Sequence, residues 1–421
     1  MSSSLNRRTV FAAGLAALVP VRVAGAVGYC DFEEFHPDPT GTVAADDAFH
    51  AWILAALTRG RIARAGPGIF RLAATHNFDL QGQHLAMVGA GIGRTCFRRA
   101  AASVNRNGEV LMRFTGLGTN AVVEMTGLTV DMNCDQQPLP PGAVDLKGNF
   151  AWQHCGAVEF LPKAAHAFRL IHIRDCEVRN PIADGFSIRG GPVPGVGDAM
   201  FERVVNRLWP IERKRPRVRG DITITAMIER VSVSDCVLSR LHYELGAAIP
   251  PGLSMKVVER GNRVGEILGH FPANYTSPER ATRNVHGGVV ARGIAQGNCT
   301  TISTGVSLLL RQPSRLTGGV HRFENCRFRL EDDYSGNDAS PAVFGSSYPV
   351  ASAIEVIGGR LEAAPNLRTP QYFIDRNGKR APPGRILIDG LIDAVPGMEL
   401  VRGSLTQIDV RNVRHIAGPG R

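Results

Sequence analysis

The chain has 421 residues, of which 44% are hydrophobic and 20% are charged. This balance excludes an integral membrane protein and a largely disordered one, because the chain has enough apolar side chains for one core but no membrane-sized excess of them. The formal net charge is +10, and most of the basic residues are arginines. The planar guanidinium group of arginine suits anions such as carboxylate, sulfate and phosphate.

The first 26 residues have the pattern of an export signal. Residues 1–8 are polar and positive, residues 9–21 are mostly apolar, and Ala24-Gly25-Ala26 fits a small-residue cleavage site. The apolar run is shorter than the roughly 20 residues that span a bilayer. Asn6-Arg7-Arg8-Thr9-Val10-Phe11 resembles a twin-arginine signal, with the general secretion route as the alternative. We therefore predict a periplasmic or secreted bacterial protein without a membrane span.

Residues 27–100 predict one helix followed by short strands. The helix runs from Asp46 to Leu57, and its two leading aspartates, Asp46 and Asp47, are placed to cap its N-terminus and to favour its dipole. Helical spacing puts one apolar face on Phe49, Trp52, Ile53, Ala56 and Leu57. Strands are predicted at residues 60–62, 66–72 and 84–93, the last ending in a glycine-rich turn.

This succession resembles the N-terminal part of the pectate-lyase-like superfamily of single-stranded right-handed β-helix proteins. The residues that carry the resemblance are Asp46-Asp47, Pro67-Gly68-Ile69-Phe70 and Gly89-Ala90-Gly91. The resemblance implies an all-β fold, a right-handed parallel β-helix (solenoid) with a short N-terminal capping helix. It also implies activity on a polysaccharide.

Residues 101–421, the predicted body of the solenoid, contain a degenerate repeat. Its template is apolar, x, apolar, x, Asp/Asn/Gly, small or apolar, x, apolar, and copies begin at residues 123, 171, 231, 321, 354 and 408. The alternation predicts strands with one buried face, and the Asp, Asn or Gly supplies the bend that follows. A coil takes about 20 to 30 residues, so the longer spacings hold two or three coils or an excursion. A β-sandwich is the alternative fold.

Export makes disulfides possible for the eight cysteines. However, Cys176, Cys236 and Cys326 occupy the same position in three copies of the repeat. Such residues more often fill a buried slot as small hydrophobes. We therefore expect no disulfide framework, and we find no CxxC or Cys/His cluster that would indicate a zinc site.

Alignment of the repeat copies places carboxylates at a similar position in three coils. When the three repeat cysteines are superposed, Asp184 falls on Glu244, and Asp333 falls one residue earlier. Paired carboxylates suit a glycoside hydrolase or a Ca²⁺ site, and the alternative is that they are solvated turn residues. Residues 180–185 also resemble the Asn-x-Asp-Gly element of polygalacturonase-like hydrolases, which implies a catalytic Asp184.

Arg240-Leu241-His242-Tyr243-Glu244 is the densest group of catalytic side-chain types. β-Elimination from a uronate needs a cation against the carboxylate, a base for the C5 proton and an acid for the leaving oxygen. Arg240 suits the first role, His242 the second and Tyr243 the third. Alternation would put His242 and Tyr243 on opposite sides of a strand, so this trio requires a loop. The alternative is a set of polar surface residues on a turn.

A basic insertion is predicted around residues 202–220. We expect it to bind an acidic chain, with Trp209 stacking on a sugar face and Arg213 and Arg215 contacting anionic groups. Arg189 and Asp333 are further candidate substrate-binding residues. The alternative is a solvated basic loop, and export makes nucleic acid an improbable partner.

Taken together, these features predict an exported polysaccharide lyase that cleaves an acidic, uronate-containing chain. The alternatives are a polygalacturonase-like glycoside hydrolase that uses paired carboxylates, and a non-catalytic glycan-binding or structural β-helix. No cofactor is certain, although Ca²⁺ would suit the aligned carboxylates. The sequence carries no signal for an oligomeric state.

Overall fold

The computed structural model describes residues 28–104, 107–137, 154–190, 194–206, 220–244, 255–270, 299–310, 314–317, 320–330, 342–345, 353–364, 372–375, 385–395, 397–402 and 408–416. The predicted export signal, residues 1–26, lies outside these ranges. Within them, we find no helix with the length and apolarity needed to cross a membrane.

The described chain contains one α-helix and two short 3-10 helices, at Phe32–Phe35 and Cys134–Gln136. The α-helix, α1, spans Asp46–Arg59. The strands up to the end of the candidate site are β1 Tyr29–Asp31, β2 Ile62–Arg64, β3 Gly68–Leu72, β4 His76–Leu80, β5 His84–Val88, β6 Thr95–Arg99, β7 Val110–Gly116, β8 Ala121–Thr126, β9 Thr129–Asp131, β10 Gly156–Pro162, β11 Phe168–Arg174, β12 Glu177–Arg179, β13 Asp184–Ile188, β14 Val196–Glu202, β15 Gly220–Ile224, β16 Ile228–Ser234 and β17 Val237–Glu244. The remaining strands are β18 Met255–Arg260, β19 Arg263–His270, β20 Cys299–Thr304, β21 Ser307–Leu310, β22 Ser314–Thr317, β23 Val320–Glu324, β24 Arg327–Leu330, β25 Ala342–Gly345, β26 Ala353–Ile357, β27 Arg360–Ala363, β28 Tyr372–Asp375, β29 Ile386–Asp389, β30 Ile392–Asp393, β31 Glu399–Arg402, β32 Ile408–Arg411 and β33 Arg414–His415.

The strands pair in parallel and form three sheets that run along the molecule. Sheet I has the order β1-β2-β5-β8-β11-β14-β16-β18-β20-β23-β26-β29-β32. Sheet II has the main order β4-β7-β10-β13-β15-β17-β19-β21-β24-β27-β30-β33, and sheet III has the order β3-β6-β9-β12. From β2 to β13 successive strands visit the three sheets in turn, and beyond β13 sheets I and II continue, so the chain winds as a coil and each coil pairs with the next. The predicted parallel β-helix is confirmed.

The sequence repeat corresponds to sheet I. Its copies lie in β8, β11, β16, β23, β26 and β32, all strands of that sheet. The spacing between β11 and β16 contains β14, and the spacing between β16 and β23 contains β18 and β20. The prediction that longer spacings hold two or three coils is therefore confirmed.

One left-handed residue follows each sheet I strand from β8 to β32. The sequence expectation of Asp, Asn or Gly holds at nine of these bends, namely Gly127, Asp175, Asp235, Gly261, Gly305, Asn325, Gly358, Gly390 and Asn412. The tenth is Arg203, with φ 51°. Its Nε and Nη2 donate to the carboxylate of Asp175 at 2.6 and 2.9 Å, and this pair compensates for the unfavourable backbone.

The cysteines that follow three of these bends occupy a buried slot. Cys176, Cys236 and Cys326 are at most 1% exposed, and burial raises the pKa of each thiol to about 12. All seven cysteines whose side chains the structure describes are buried and free. Within this part of the chain, the repeat cysteines fill the buried slot that was predicted for them.

The N-terminal end of the coil is covered by α1, as predicted. Its face of Phe49, Trp52, Ile53 and Ala56 is buried, and Leu57 packs at the edge of the core. Phe32 stacks on Trp52 with a centroid distance of 4.6 Å. The helix therefore closes the core of the first coils. β2, β3 and β5 lie close to the predicted ranges, whereas β4 falls in none of them.

The role predicted for Asp46 is wrong. The residue before the helix makes no side-chain cap, and Asp46 instead accepts hydrogen bonds from the backbone N–H groups of Ala73 and Ala74 at 2.8–3.0 Å. It also contacts His76 Nε2 at 2.8 Å. Burial acts to raise the pKa of Asp46, but these hydrogen bonds outweigh it and lower the pKa to about 2. Asp46 thus fastens the helix to the turn between β3 and β4.

We predict that Asp46→Asn lowers the free energy of unfolding by about 1–2 kcal/mol near neutral pH, because it removes a charged hydrogen-bond acceptor. The contribution is complete above the ordinary Asp pKa of 3.8 and disappears as the pH falls through about 2. Denaturant unfolding at several pH values should show this convergence. Asp47→Asn is the matched control, since Asp47 is exposed in the same helical turn. An equal loss of unfolding free energy in both variants would show that Asp46 acts only through the helix dipole.

Candidate functional site

The outer face of sheet II carries one polar residue in each of six neighbouring strands. These residues are in register from β4 to β17, and we call them the polar row: Asn77, Arg113, Glu159, Ser187, Thr223 and His242. The residues beside them along each strand point inward, as Phe114 and Phe160 do, which stack at 5.6 Å. Strand alternation therefore turns the polar row away from the apolar core, although Glu159, Ser187, Thr223 and His242 are themselves buried.

A chain of ion pairs links Arg113 and Glu159 of the polar row to Arg189 and Asp184 beside it. Arg113 Nε donates to Glu159 Oε2, and Arg189 Nη1 lies 3.3 Å from Glu159 Oε1. Arg189 Nη2 donates to Asp184 Oδ2. Each carboxylate is thus held by at least one guanidinium, an arrangement that fixes the side chains relative to each other.

Asp184 lies at the start of β13, between two glycines. Thr223 Oγ1 donates to Asp184 Oδ1 at 2.6 Å. Gly156 and Gly220 are in register with Asp184 in the neighbouring coils. A Cβ atom on Gly220 would lie 2.6 Å from Thr223 Oγ1 and 3.0 Å from His242 Cβ. The absence of a side chain at Gly220 therefore leaves room between Asp184, Thr223 and His242.

Arg240 and His242 lie on β17, two residues apart, and so on the same face of the strand. The start of this segment is fixed by Asp221 of β15, which accepts from Ser239 Oγ at 2.9 Å and Asn206 Nδ2 at 3.0 Å. Burial raises the pKa of Asp221, against the opposing effect of the hydrogen bonds from Ser239 and Asn206. This contact holds the Arg240 segment against the neighbouring coil.

Tyr243 does not join His242, because the segment is a strand and not a loop. Tyr243 is fully buried in the interior, where its hydroxyl donates to Glu259 Oε1 at 2.8 Å. Ser303 Oγ donates to the other Glu259 oxygen at 2.7 Å. Burial raises the pKa of both Tyr243 and Glu259. Tyr243 is therefore part of the core and not the acid of an outer-face site.

The predicted alignment of Asp184 with Glu244 is wrong. Asp184 stands three residues before Ser187, whereas Glu244 stands two residues after His242, and both reference residues belong to the polar row. The two acidic residues therefore occupy different positions along the sheet, two coils apart. The side chain of Glu244 and the whole of Asp333 lie outside the described residues.

Of the four remaining candidates, the structure describes only Arg189. It contacts Asp184 and Glu159, so it belongs to the same group as the predicted catalytic aspartate. Trp209, Arg213 and Arg215 fall in the basic insertion, outside the described residues. Their proposed contacts with substrate stay predictions.

Sequence reasoning missed Arg113, Glu159 and Thr223. A signal was present for the first two, because each is a single charged residue inside a strand of apolar residues. A charge at an isolated outward position of a buried strand usually has a partner on a neighbouring strand. Thr223 carries no such signal, since threonine is common in strands.

The described residues contain no group of three or more His, Cys, Asp or Glu side chains arranged to hold a metal ion. The carboxylate alignment that suggested Ca²⁺ does not form, as shown by the positions of Asp184 and Glu244. Sheet II thus supplies guanidinium, carboxylate, imidazole and hydroxyl groups for chemistry.

Comparison with known proteins gives matches at the level of structure. No protein-family model matches the chain, and no curated protein matches it in sequence. The A-module of a mannuronan C-5 epimerase from Azotobacter vinelandii matches with a TM-score of 0.53 and 14% identity, over 91% of this chain and 100% of the other.

Two further solved structures are similar at lower scores. An endo-xylogalacturonan hydrolase from Aspergillus tubingensis matches with a TM-score of 0.49 and 13% identity, over 93% of this chain and all of the other. A family 28 exopolygalacturonase from Yersinia enterocolitica matches with a TM-score of 0.39 and 10% identity, over 94% of this chain and 79% of the other. Together with the parallel coils described above, the match to the epimerase module shows that the chain folds as a right-handed parallel β-helix.

Proposed function

We propose that this protein is an exported polysaccharide lyase that cleaves an acidic, uronate-containing chain by β-elimination. The observation that supports this most is the polar row, which brings guanidinium and imidazole groups to one outer face. The similar epimerase module is named for action at C5 of mannuronan. β-Elimination in a uronate also begins by removal of the C5 proton.

The cations of the outer face suit the first requirement of β-elimination. The substrate carboxylate must be neutralised before the C5 proton becomes acidic. Arg113 and Arg189 are the two guanidinium groups in the chain of ion pairs Arg113–Glu159–Arg189–Asp184, and they keep 27% and 15% of their side chains accessible. In this proposal they hold the carboxylate, while Glu159 and Asp184 keep the guanidinium groups in place.

His242 is the proposed base. Its imidazole takes the C5 proton, the electron pair forms the C4–C5 double bond, and the C4–O bond to the leaving sugar breaks. The leaving oxygen then takes a proton, which the imidazolium can return to it. Arg240, on the same face of β17, is the cation nearest in sequence to this base.

Two observations favour other functions. Arg189 bridges Glu159 and Asp184 in adjacent coils, and two neighbouring carboxylates are the requirement of a glycoside hydrolase. Asp184 and His242 are fully buried, which favours a glycan-binding β-helix in which only the exposed arginines touch the ligand.

Incubation of the purified protein with polygalacturonate, alginate and glucuronan distinguishes the three functions. We expect a rise in ultraviolet absorbance from unsaturated sugar ends on one of these polymers. Reducing ends that appear without the absorbance would contradict the lyase and support the hydrolase. Retention of the protein on a polymer column with neither signal would support the binder.

On the polymer that is cleaved, we predict that His242→Gln lowers kcat by about 100-fold or more, because general-base catalysis contributes 10²–10⁴. His415→Gln is the matched control, since His415 is 68% exposed at the far end of the solenoid. Thermal unfolding of both variants checks that the fold survives. Full activity in a folded His242→Gln protein would exclude His242 as the base.

Arg113→Gln should raise KM about tenfold on the same polymer, because it removes a charge that binds the substrate carboxylate. Arg230→Gln removes an equal charge from sheet I, where Arg230 is 72% exposed and pairs with Asp198. Initial rates over a range of polymer concentrations measure both. An equal effect in the two variants would mean that only the overall charge of the protein matters.

A further inference from the structure

Sheet III carries a second line of polar residues, on a different face of the solenoid from the polar row of sheet II. Arg71, Arg98, Asp131 and Arg179 are in register on β3, β6, β9 and β12. The residue before each of them is apolar and buried, as with Phe70 and Phe97, so the four polar residues point outward. Three of four neighbouring coils thus present an arginine on this face.

Two of the three arginines have acidic partners. Arg98 Nε donates to Asp131 Oδ2 at 3.0 Å, and Arg179 Nη2 donates to Glu177 Oε2 at 2.7 Å. Asp131 also accepts from the backbone N–H of Asn133 at 2.8 Å. Asp131 and Glu177 thus pair with Arg98 and Arg179, and neither forms an ion pair with Arg71.

Arg71 is the arginine without such a partner. Within the described ranges its guanidinium forms no ion pair, and its Nε is buried without a hydrogen-bond acceptor. Its neighbour in register is Arg98, which uses only Nε in its contact with Asp131. Arg71 and Arg98 are thus like charges in register on adjacent strands, and only Arg98 has an acidic partner. Like charges directly opposite each other are destabilising, and a further anion at Arg71 would offset this.

We propose that Arg71 and Arg98 form an anion-binding site that takes the carboxylate of an acidic sugar residue. The planar fork of each guanidinium offers paired donors that match the two oxygens of a carboxylate. The identity of the ligand as a uronate rests on the function proposed above, whereas the anion site itself rests on the geometry of sheet III.

The position of this pair fits a chain that is also bound on sheet II. Arg71 on β3 is followed in the same coil by Asn77 on β4, and Arg98 on β6 is followed in its coil by Arg113 on β7. The two faces thus meet at the same edge of the solenoid.

The test is thermal unfolding of the full chain with increasing D-glucuronate, at constant ionic strength, with D-glucose as the neutral probe. We expect glucuronate, and not glucose, to raise Tm in a saturable way, because a ligand that binds only the folded state stabilises it. Arg71→Gln should weaken the fitted affinity about tenfold. Arg230→Gln is the control and should keep the wild-type affinity.

Arg71→Gln has a second expected result that does not depend on the ligand. Without added anion the variant should unfold at the same Tm as the wild-type protein or above it, because one of two opposed charges is gone. A lower Tm would show that Arg71 stabilises the fold by other contacts and would overturn the proposal.

The remaining outcomes are also decisive. Equal glucuronate stabilisation in wild type and Arg71→Gln, or an equal effect of glucose, would overturn the site. Stabilisation by inorganic sulfate alone, lost in Arg71→Gln, would overturn the carboxylate assignment. Because this readout needs no cleavage, a protein that degrades none of the uronans but binds glucuronate through Arg71 would contradict the lyase and leave the anion site standing.

Discussion

Parallel pairing in register, coil upon coil, is the constraint on which the rest of this structure depends. Each sheet I strand from β8 to β32 ends in one left-handed residue, so the chain turns at the same point of every coil. Because alternation along a strand has a period of two, this fixed turn decides which residues face the core and which face outward. The apolar interior and both polar rows follow from it.

The same constraint brings together residues that are far apart in the chain. Arg113, Glu159, Asp184 and His242 come from four separate strands, and stacking of the coils makes them neighbours. No local motif is needed, because each strand contributes one or two side chains. Some charges are balanced between coils, as the Arg113–Glu159 and Arg203–Asp175 pairs show, and others within one coil, as in the Arg189–Asp184 pair.

The fold could be predicted from the sequence because two of its elements have strong local signals. The capping helix α1 shows an apolar face at helical spacing, and the sheet I strands are each followed by a characteristic bend residue. The site could be predicted only in part. Superposing Asp184 on Glu244 assumed that every coil has the same shape after its cysteine. In one coil the strand stops at Arg179 and a turn precedes Asp184, whereas in the other a single strand runs from Val237 to Glu244. The alignment thus matched turn residues with strand residues. Arg113 and Glu159 are brought together by pairing between coils, and the sequence of one strand does not show which strand it pairs with.

The buried thiols bear on the redox conditions under which the chain folds. In the folded protein, seven cysteines are enclosed by the coils, where an oxidant or a disulfide exchange partner does not reach them. An unfolded chain would expose all eight, and eight thiols allow about 105 fully paired disulfide patterns. Any such bond would tie together coils that must stack one upon another. Folding in a reducing environment therefore keeps these thiols free until the stacked coils enclose them.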